Sequence, residues 1–142
     1  MCLYTLNNKC TRAKQDIICY KIVRINISTD RRESLVVGAK LPDPLVGFID
    51  KAKGITHFEI DCFNPRIYYV NVGKIHTFTE CSDAVYKFSS ELTSYKELEL
   101  WRCIIPKGTY YVAGNTPSDH AGFASNRLKY ETLLLHKKDL IF

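Results

Sequence analysis

Apolar residues recur along this chain with two periods, and the longer one is confined to a single stretch. Residues 17–27, "IICYKIVRINI", are so rich in Ile and Val that they predict a strand buried through its middle. "STDRRES" (28–34) predicts a polar turn. "LVVGAKLPDPLVGFIDKAKG" (35–54), with its prolines and glycines, predicts short extended pieces and loop with one helical turn before Gly54. In "THFEIDCF" (56–63) Phe58, Ile60 and Cys62 alternate with His57, Glu59 and Asp61, the period of a half-buried strand. "NPR" then signals a turn and "IYYVNVG" (67–73) a second strand, together an antiparallel hairpin with a loop of about three to five residues.

From Thr77 the period lengthens. Cys81, Ala84, Val85, Phe88 and Leu92 fall on one stripe of an amphipathic helix spanning about residues 79–92, and Thr77 with Glu80 has the spacing of a capping box. On the short strand before it (74–78), Lys74, His76 and Phe78 share one face and Ile75 and Thr77 the other. "ELELWRCIIP" (97–106) predicts a strand entering the core, with Glu97 and Glu99 solvated. Pro106 and Gly108 predict a tight hairpin turn into the strand "TYYVA". "GNTPSDHAGFASN" (114–126) predicts an exposed loop, "RLKYETLLL" (127–135) a strand with one wet face, and the apolar end of "HKKDLIF" a docked tail. The expected fold is α+β: a single domain over residues 1–142, built as a twisted, mostly antiparallel sheet with one amphipathic helix packed on it.

Composition supports a globular reading. With 46% hydrophobic, 25% charged and 12% aromatic residues the chain has the means to build a core. The net charge of +5 is unevenly spread: residues 1–54 hold ten Lys and Arg against five Asp and Glu, residues 55–100 four against seven, and residues 101–142 six against three. The cations are interleaved with acids, unlike a nucleic-acid-binding arm, so nucleic acid is not the expected partner. Six cysteines stand outside any C-x-x-C pair or zinc-finger spacing, and the N-terminal residues lack the apolar segment of a secretory signal. A reduced, intracellular protein is expected, with no metal and no cofactor. Cys19, Cys62 and Cys103 lie in apolar runs as inert buried thiols. No apolar run is long enough to span a bilayer, so no membrane partner is expected.

Candidate chemistry is sparse. His76 can donate and accept one hydrogen bond, suiting it to anchor a backbone or contact a ligand beside Phe78. In "PKGT", Lys107 and Thr109 on a glycine turn have the chemistry to bind phosphate, although the glycine spacing and following helix of a phosphate loop are missing. Ser125, Asn126 and Arg127 form a second anion-binding candidate. In each of the tyrosine pairs 68–69 and 110–111 one ring is expected in the core and the other free to stack, with Tyr111 a ligand-contact candidate. No G-x-S-x-G elbow and no pair of carboxylates in apolar surroundings is present, which disfavours an ordinary hydrolase.

The strings "MCLY", "CYKIV" (19–23), "GKIHTF", "CIIPKGTYY" (103–111) and "ASNRLKY" (124–130) resemble a family of small uncharacterised proteins of bacteriophages and their gut-bacterial hosts. The resemblance spans nearly the whole chain except residues 28–55, and it implies an origin more than a mechanism. In the order of its elements, a first strand with a basic or aromatic entry (Tyr20, Lys21), then "GxHxF", then a short helix, the chain is also similar to reduced ADP-ribosyltransferase-like domains that bind NAD. That similarity implies Lys21 or Arg24, with Lys21 the first choice, His76 and Glu131 as the transferase set, although the local context of such a set is incomplete.

The expected function is therefore binding: a small phage-type protein of the host cytoplasm that occupies a host protein or sequesters a nucleotide-like signal, as counter-defence proteins do. The alternatives are the NAD-binding transferase-like domain and a minor virion or assembly component, the latter requiring a homo-oligomer.

Overall fold

The two most apolar runs of the sequence pair with each other at the centre of the fold. In a computed structural model, residues 3–5, 10–26, 31–34, 40–42, 44–52, 58–60, 66, 68–70, 75–91, 97–116 and 118–138 are described. Their strands are β1 (Tyr4–Thr5), β2 (Thr11–Arg12), β3 (Ile17–Asn26), β4 (Arg31–Ser34), β5 (Lys40–Leu41), β6 (Ile49–Lys51) and β7 (Phe58–Ile60). There follow β8 (Tyr68–Val70), β9 (Ile75–Phe78), helix α1 (Cys81–Glu91), β10 (Glu97–Ile105), β11 (Tyr110–Asn115), β12 (Ala121–Ser125) and β13 (Arg127–Lys138).

All of these strands belong to one sheet, in the order β6-β13-β10-β3-β9-β12-β11-β1-β8-β7, with β2 paired to β11, β4 to β3 and β5 to β4. Every pairing is antiparallel. The mostly antiparallel sheet with one helix is the expected architecture, and its high strand content makes it equally describable as mostly β. No helix among the described residues is long and apolar enough to cross a membrane.

The sheet curls on itself. β12 runs into β13 with only Asn126 between, so one bent length of chain meets β9 at one end and β10 at the other, and both of those strands pair with β3. Inside the curl, Cys19 and Val23 pack with Trp101, Cys103, Ile105, Ile75, Leu128 and Tyr130, and Leu41 and Leu45 join them. On the outer face of β3 and β10, Ile22, Phe78, Leu98 and Leu100 receive Ala84 and Phe88 of α1. Both faces of the central strands are thus covered, which is why their sequences are apolar without strict alternation.

A third cluster joins Leu3, Val70, Val112 and Ala124. There Gly114 and Gly122, direct cross-strand partners, let the N-terminal segment cross close to the sheet. A Cβ on Gly114 would collide with the Tyr4 carbonyl, and one on Gly122 would lie 2.8 Å from the Thr77 carbonyl and 3.1 Å from Leu3.

Several expectations are corrected. Residues 31–34 are a strand rather than a turn, because Glu33 lies directly opposite Arg24 and bonds to it at 3.2 Å, so charged residues gain by pairing in the ladder. Residues 121–125 are a strand rather than a loop: Gly122 and Ala124 are small because Leu3 packs over this face. β11 and β12 are joined by a turn in which Asp119 has φ +64° and Thr116 N donates to His120 O.

The turn at 106–109 exists, with Thr109 N bonded to Pro106 O and Gly108 at φ +87°, but it does not close a hairpin. β10 pairs with β3 and β13, whereas β11 goes to β1, β2 and β12. The expected hairpin of residues 56–73 is present as β7–β8, with Ile60 opposite Tyr68, so its connection is longer than predicted. The helix begins at Cys81, and Thr77 lies inside β9 with its side chain fully buried, away from any capping box. The predicted positions Leu92, Cys62 and Lys74 and the tail from residue 139 lie outside the described residues.

Candidate functional site

Alternation on β3 sends Cys19, Lys21 and Val23 into the curl and Tyr20, Ile22 and Arg24 to the helix side. Lys21 is consequently only 7% exposed, and its Nζ donates to the His76 carbonyl at 3.1 Å. Burial pulls the Lys21 pKa down, against the opposing pull of Cys103, Asp50 and Cys19. Asp50 lies opposite Leu128, a core residue, so it faces inward. Burial pushes its carboxyl up, against Lys21 and the Lys51 backbone.

Around this lysine the interior is polar. Burial pushes the Cys19 thiol up to about 12, with the Thr77 hydroxyl, Lys21 and the Ile105 backbone pulling the other way. The Cys103 thiol and the Tyr130 phenol are raised chiefly by burial as well. Tyr130 OH and Glu131 Oε2 are buried without a hydrogen-bond partner.

Further along the same column, Glu99 is 1% exposed and binds Arg32 at 2.8 and 2.9 Å, while Trp101 Nε1 donates to it at 3.2 Å. The solvated glutamate expected at 99 is thus a buried ion pair. β4 carries Arg32 over the mouth of the curl, which no local pattern at residue 99 reveals.

The candidate residues read from sequence are dispersed. By alternation the His76 side chain shares the helix side with Phe78 and Tyr20, opposite to Lys21, and the Lys21 amine reaches the His76 carbonyl. Glu131 lies on β13 where the register with β10 shifts, between the pairs Arg102–Thr132 and Cys103–Tyr130.

The glycine turn is no phosphate cradle. Its three N–H groups are already engaged, Lys107 N with Asp16 Oδ1, Gly108 N with Ala13 O and Thr109 N with Pro106 O, and Thr109 is buried. Tyr111, partly buried, stacks edge-on against Phe123 at the side of the core. Ser125 is buried with its hydroxyl on the Arg127 carbonyl, and the Asn126 backbone bonds Tyr110 and Ala52. No group of three or more His, Cys, Asp or Glu among the described residues is placed to hold a metal ion.

Charge collects instead on the outer face of the β6–β13 edge. Arg127 lies directly opposite Lys51 and Lys129 opposite Ile49, so three cations and an exposed isoleucine share one surface, while Asp50 and Leu128 point the other way. No carboxylate among the described residues pairs with Lys51, Arg127 or Lys129. Next along the sheet, beyond Asn126, Tyr110 is 49% exposed with the Arg12 guanidinium 5.7 Å from its ring centre.

The sequence reading reached Arg127 and the Tyr110–Tyr111 pair but missed Lys51, Lys129 and Arg12. The alternation "R-L-K" at 127–129 was the available signal for two cations on one face. No protein-family model, curated protein or solved structure matches the chain.

Proposed function

We propose that this protein acts by binding, with the cationic face of Lys51, Arg127 and Lys129 and the adjoining Arg12–Tyr110 stack as its contact surface for an acidic patch on a partner protein. The observation that carries this reading is the Lys51–Arg127 pair. Like charges directly opposite in an antiparallel ladder are destabilising, and here no described carboxylate relieves them. Such a cost is compensated by a partner's anions. Exposed Ile49 and Tyr110 near the cations add the aromatic and apolar contact area that protein interfaces use. The surface is an open strand face, better matched to a protein than to a small nucleotide.

The sequence resemblance supports a phage origin, and with it a host protein as partner and the host cytoplasm as the place of action. Within the α+β description, the sheet is the binding element and α1 closes its far side. The transferase alternative requires Lys21, His76 and Glu131 on one open surface, whereas the Lys21 amine is committed to the interior and the His76 ring to the other side of the sheet.

The test is capture of host proteins from lysate with wild type and with Lys51→Glu/Arg127→Glu. Partners retained by wild type should be lost by the variant and released from wild type by salt within the range that screens surface charge. Retention of the same partners by the charge-reversed protein would refute the assignment. Thermal shift with NAD, ADP-ribose and cyclic oligonucleotides distinguishes the nucleotide reading, which requires stabilisation that grows with ligand concentration.

A further inference from the structure

We propose that Cys19 and Cys103 form a redox pair, closed to a disulfide between the two central strands by a peroxide-class oxidant. The register places them directly opposite each other on β3 and β10, in the cluster inside the curl, and both are fully buried as free thiols. Directly opposed antiparallel residues have Cα atoms about 4.5–5.5 Å apart, inside the range a disulfide spans. Their Cβ atoms, at about 4.5–5.5 Å, must approach by up to about an ångström. Closure therefore draws β3 and β10 together and is strained, the property of a disulfide that is readily reduced again.

In the reduced state the thiols look elsewhere. Cys103 Sγ lies 3.9 Å from the Trp101 carbonyl, and the Cys19 thiol is held by the Thr77 hydroxyl and the Ile105 backbone. Rotation about χ1 brings them to face each other. The neighbouring pair on the same face is Lys21 opposite Trp101, so the lysine amine flanks both sulfurs and, in its protonated form, favours their thiolates.

The chemistry balances in two steps. One thiolate attacks hydrogen peroxide, forming a sulfenic acid and releasing hydroxide, which takes up the proton the thiol lost and becomes water. The second thiol then displaces hydroxyl from the sulfenic sulfur, giving the disulfide and a second water. The pair loses two electrons and two protons, and the peroxide is reduced. A directly opposed second thiol traps the sulfenic acid before further oxidation. Because burial holds both thiols protonated, closure at neutral pH is slow and quickens by about tenfold per pH unit while the thiolate is the minor form.

The test uses the full chain with Cys2, Cys10, Cys62 and Cys81 all changed to Ser, treated with hydrogen peroxide under native conditions. The expected result is an intact mass lower by two hydrogens, a linked peptide containing Cys19 and Cys103, and a melting temperature that rises on oxidation and returns with dithiothreitol. Should that variant not fold, the wild-type protein is oxidised, alkylated under denaturing conditions and mapped for the same linked peptide. Two free thiols after prolonged oxidation would overturn the proposal, and so would a link that forms only in denaturant. A gain of oxygen, whether as sulfinic acid or as an N–O–S link to Lys21, would overturn it equally.

Discussion

Glu99 and Lys21 lie in one buried column, yet their charges are handled in opposite ways. Glu99 meets Arg32 in a two-bond pair and also accepts from Trp101, so its charge is fully engaged. Glu99→Gln removes the charge from this buried two-bond pair, and is expected to cost about 3–5 kcal/mol, read from the urea midpoint. Lys21 instead has its pKa lowered by burial, so between that depressed value and the ordinary 10.5 the unfolded chain binds the proton and the native chain does not. Stability contributed by this residue therefore rises as pH increases across that window. As pH rises through the window that ends at 10.5, wild type should gain stability relative to Lys21→Met, which should be the more stable protein below that window; unfolding curves of both proteins across pH, in which their shared thiols cancel, check this. Neither environment was legible locally. Period-two alternation assigns residue 99 to a face but cannot say that β4 covers that face, and it placed His76 with Phe78 only because both lie on one short strand.

At the scale of elements, α1 was the most legible, because its period differs from everything around it. The stripe of Cys81, Ala84, Val85 and Phe88 predicted the buried side, and Ala84 and Phe88 are the residues that reach the sheet, while Val85 remains 37% exposed. Phe88→Ala should cost about 3–5 kcal/mol and Val85→Ala far less, a contrast measurable by thermal unfolding with helical circular dichroism. The misplaced elements, β4 and β12, share a cause. Each is made of residues that signal turns or loops in isolation, and each becomes a strand because neighbouring strands supply its hydrogen bonds: β3 for β4, and β9 with β11 for β12. Gly122 illustrates this, read from sequence as a loop glycine and serving as the space through which Leu3 reaches the sheet. Gly122→Ala should lower the melting temperature by forcing Leu3 and the Thr77 carbonyl apart, at a cost of about 1–3 kcal/mol.

For the whole molecule, the informative quantity is the distribution of charge rather than the total of +5. The sequence showed basic ends and an acidic middle, and the fold brings residue 51 from the first segment against residues 127 and 129 from the last, concentrating cations that are far apart along the chain. Lys51→Glu converts a like-charged cross-strand pair into an opposite-charged one and should raise stability by about 0.2–1 kcal/mol while weakening partner capture. A loss of stability in that variant would mean that Lys51 has a structural role after all. The period of the apolar residues determined by itself that the chain forms a mostly antiparallel sheet with one helix, because periodicity records which side of each element meets the core. Which strands become neighbours, which carboxylate is buried against Arg32, which thiols stand opposed and where the cations gather were decided only by the tertiary structure, since these depend on pairings between segments up to about a hundred residues apart that no local pattern encodes.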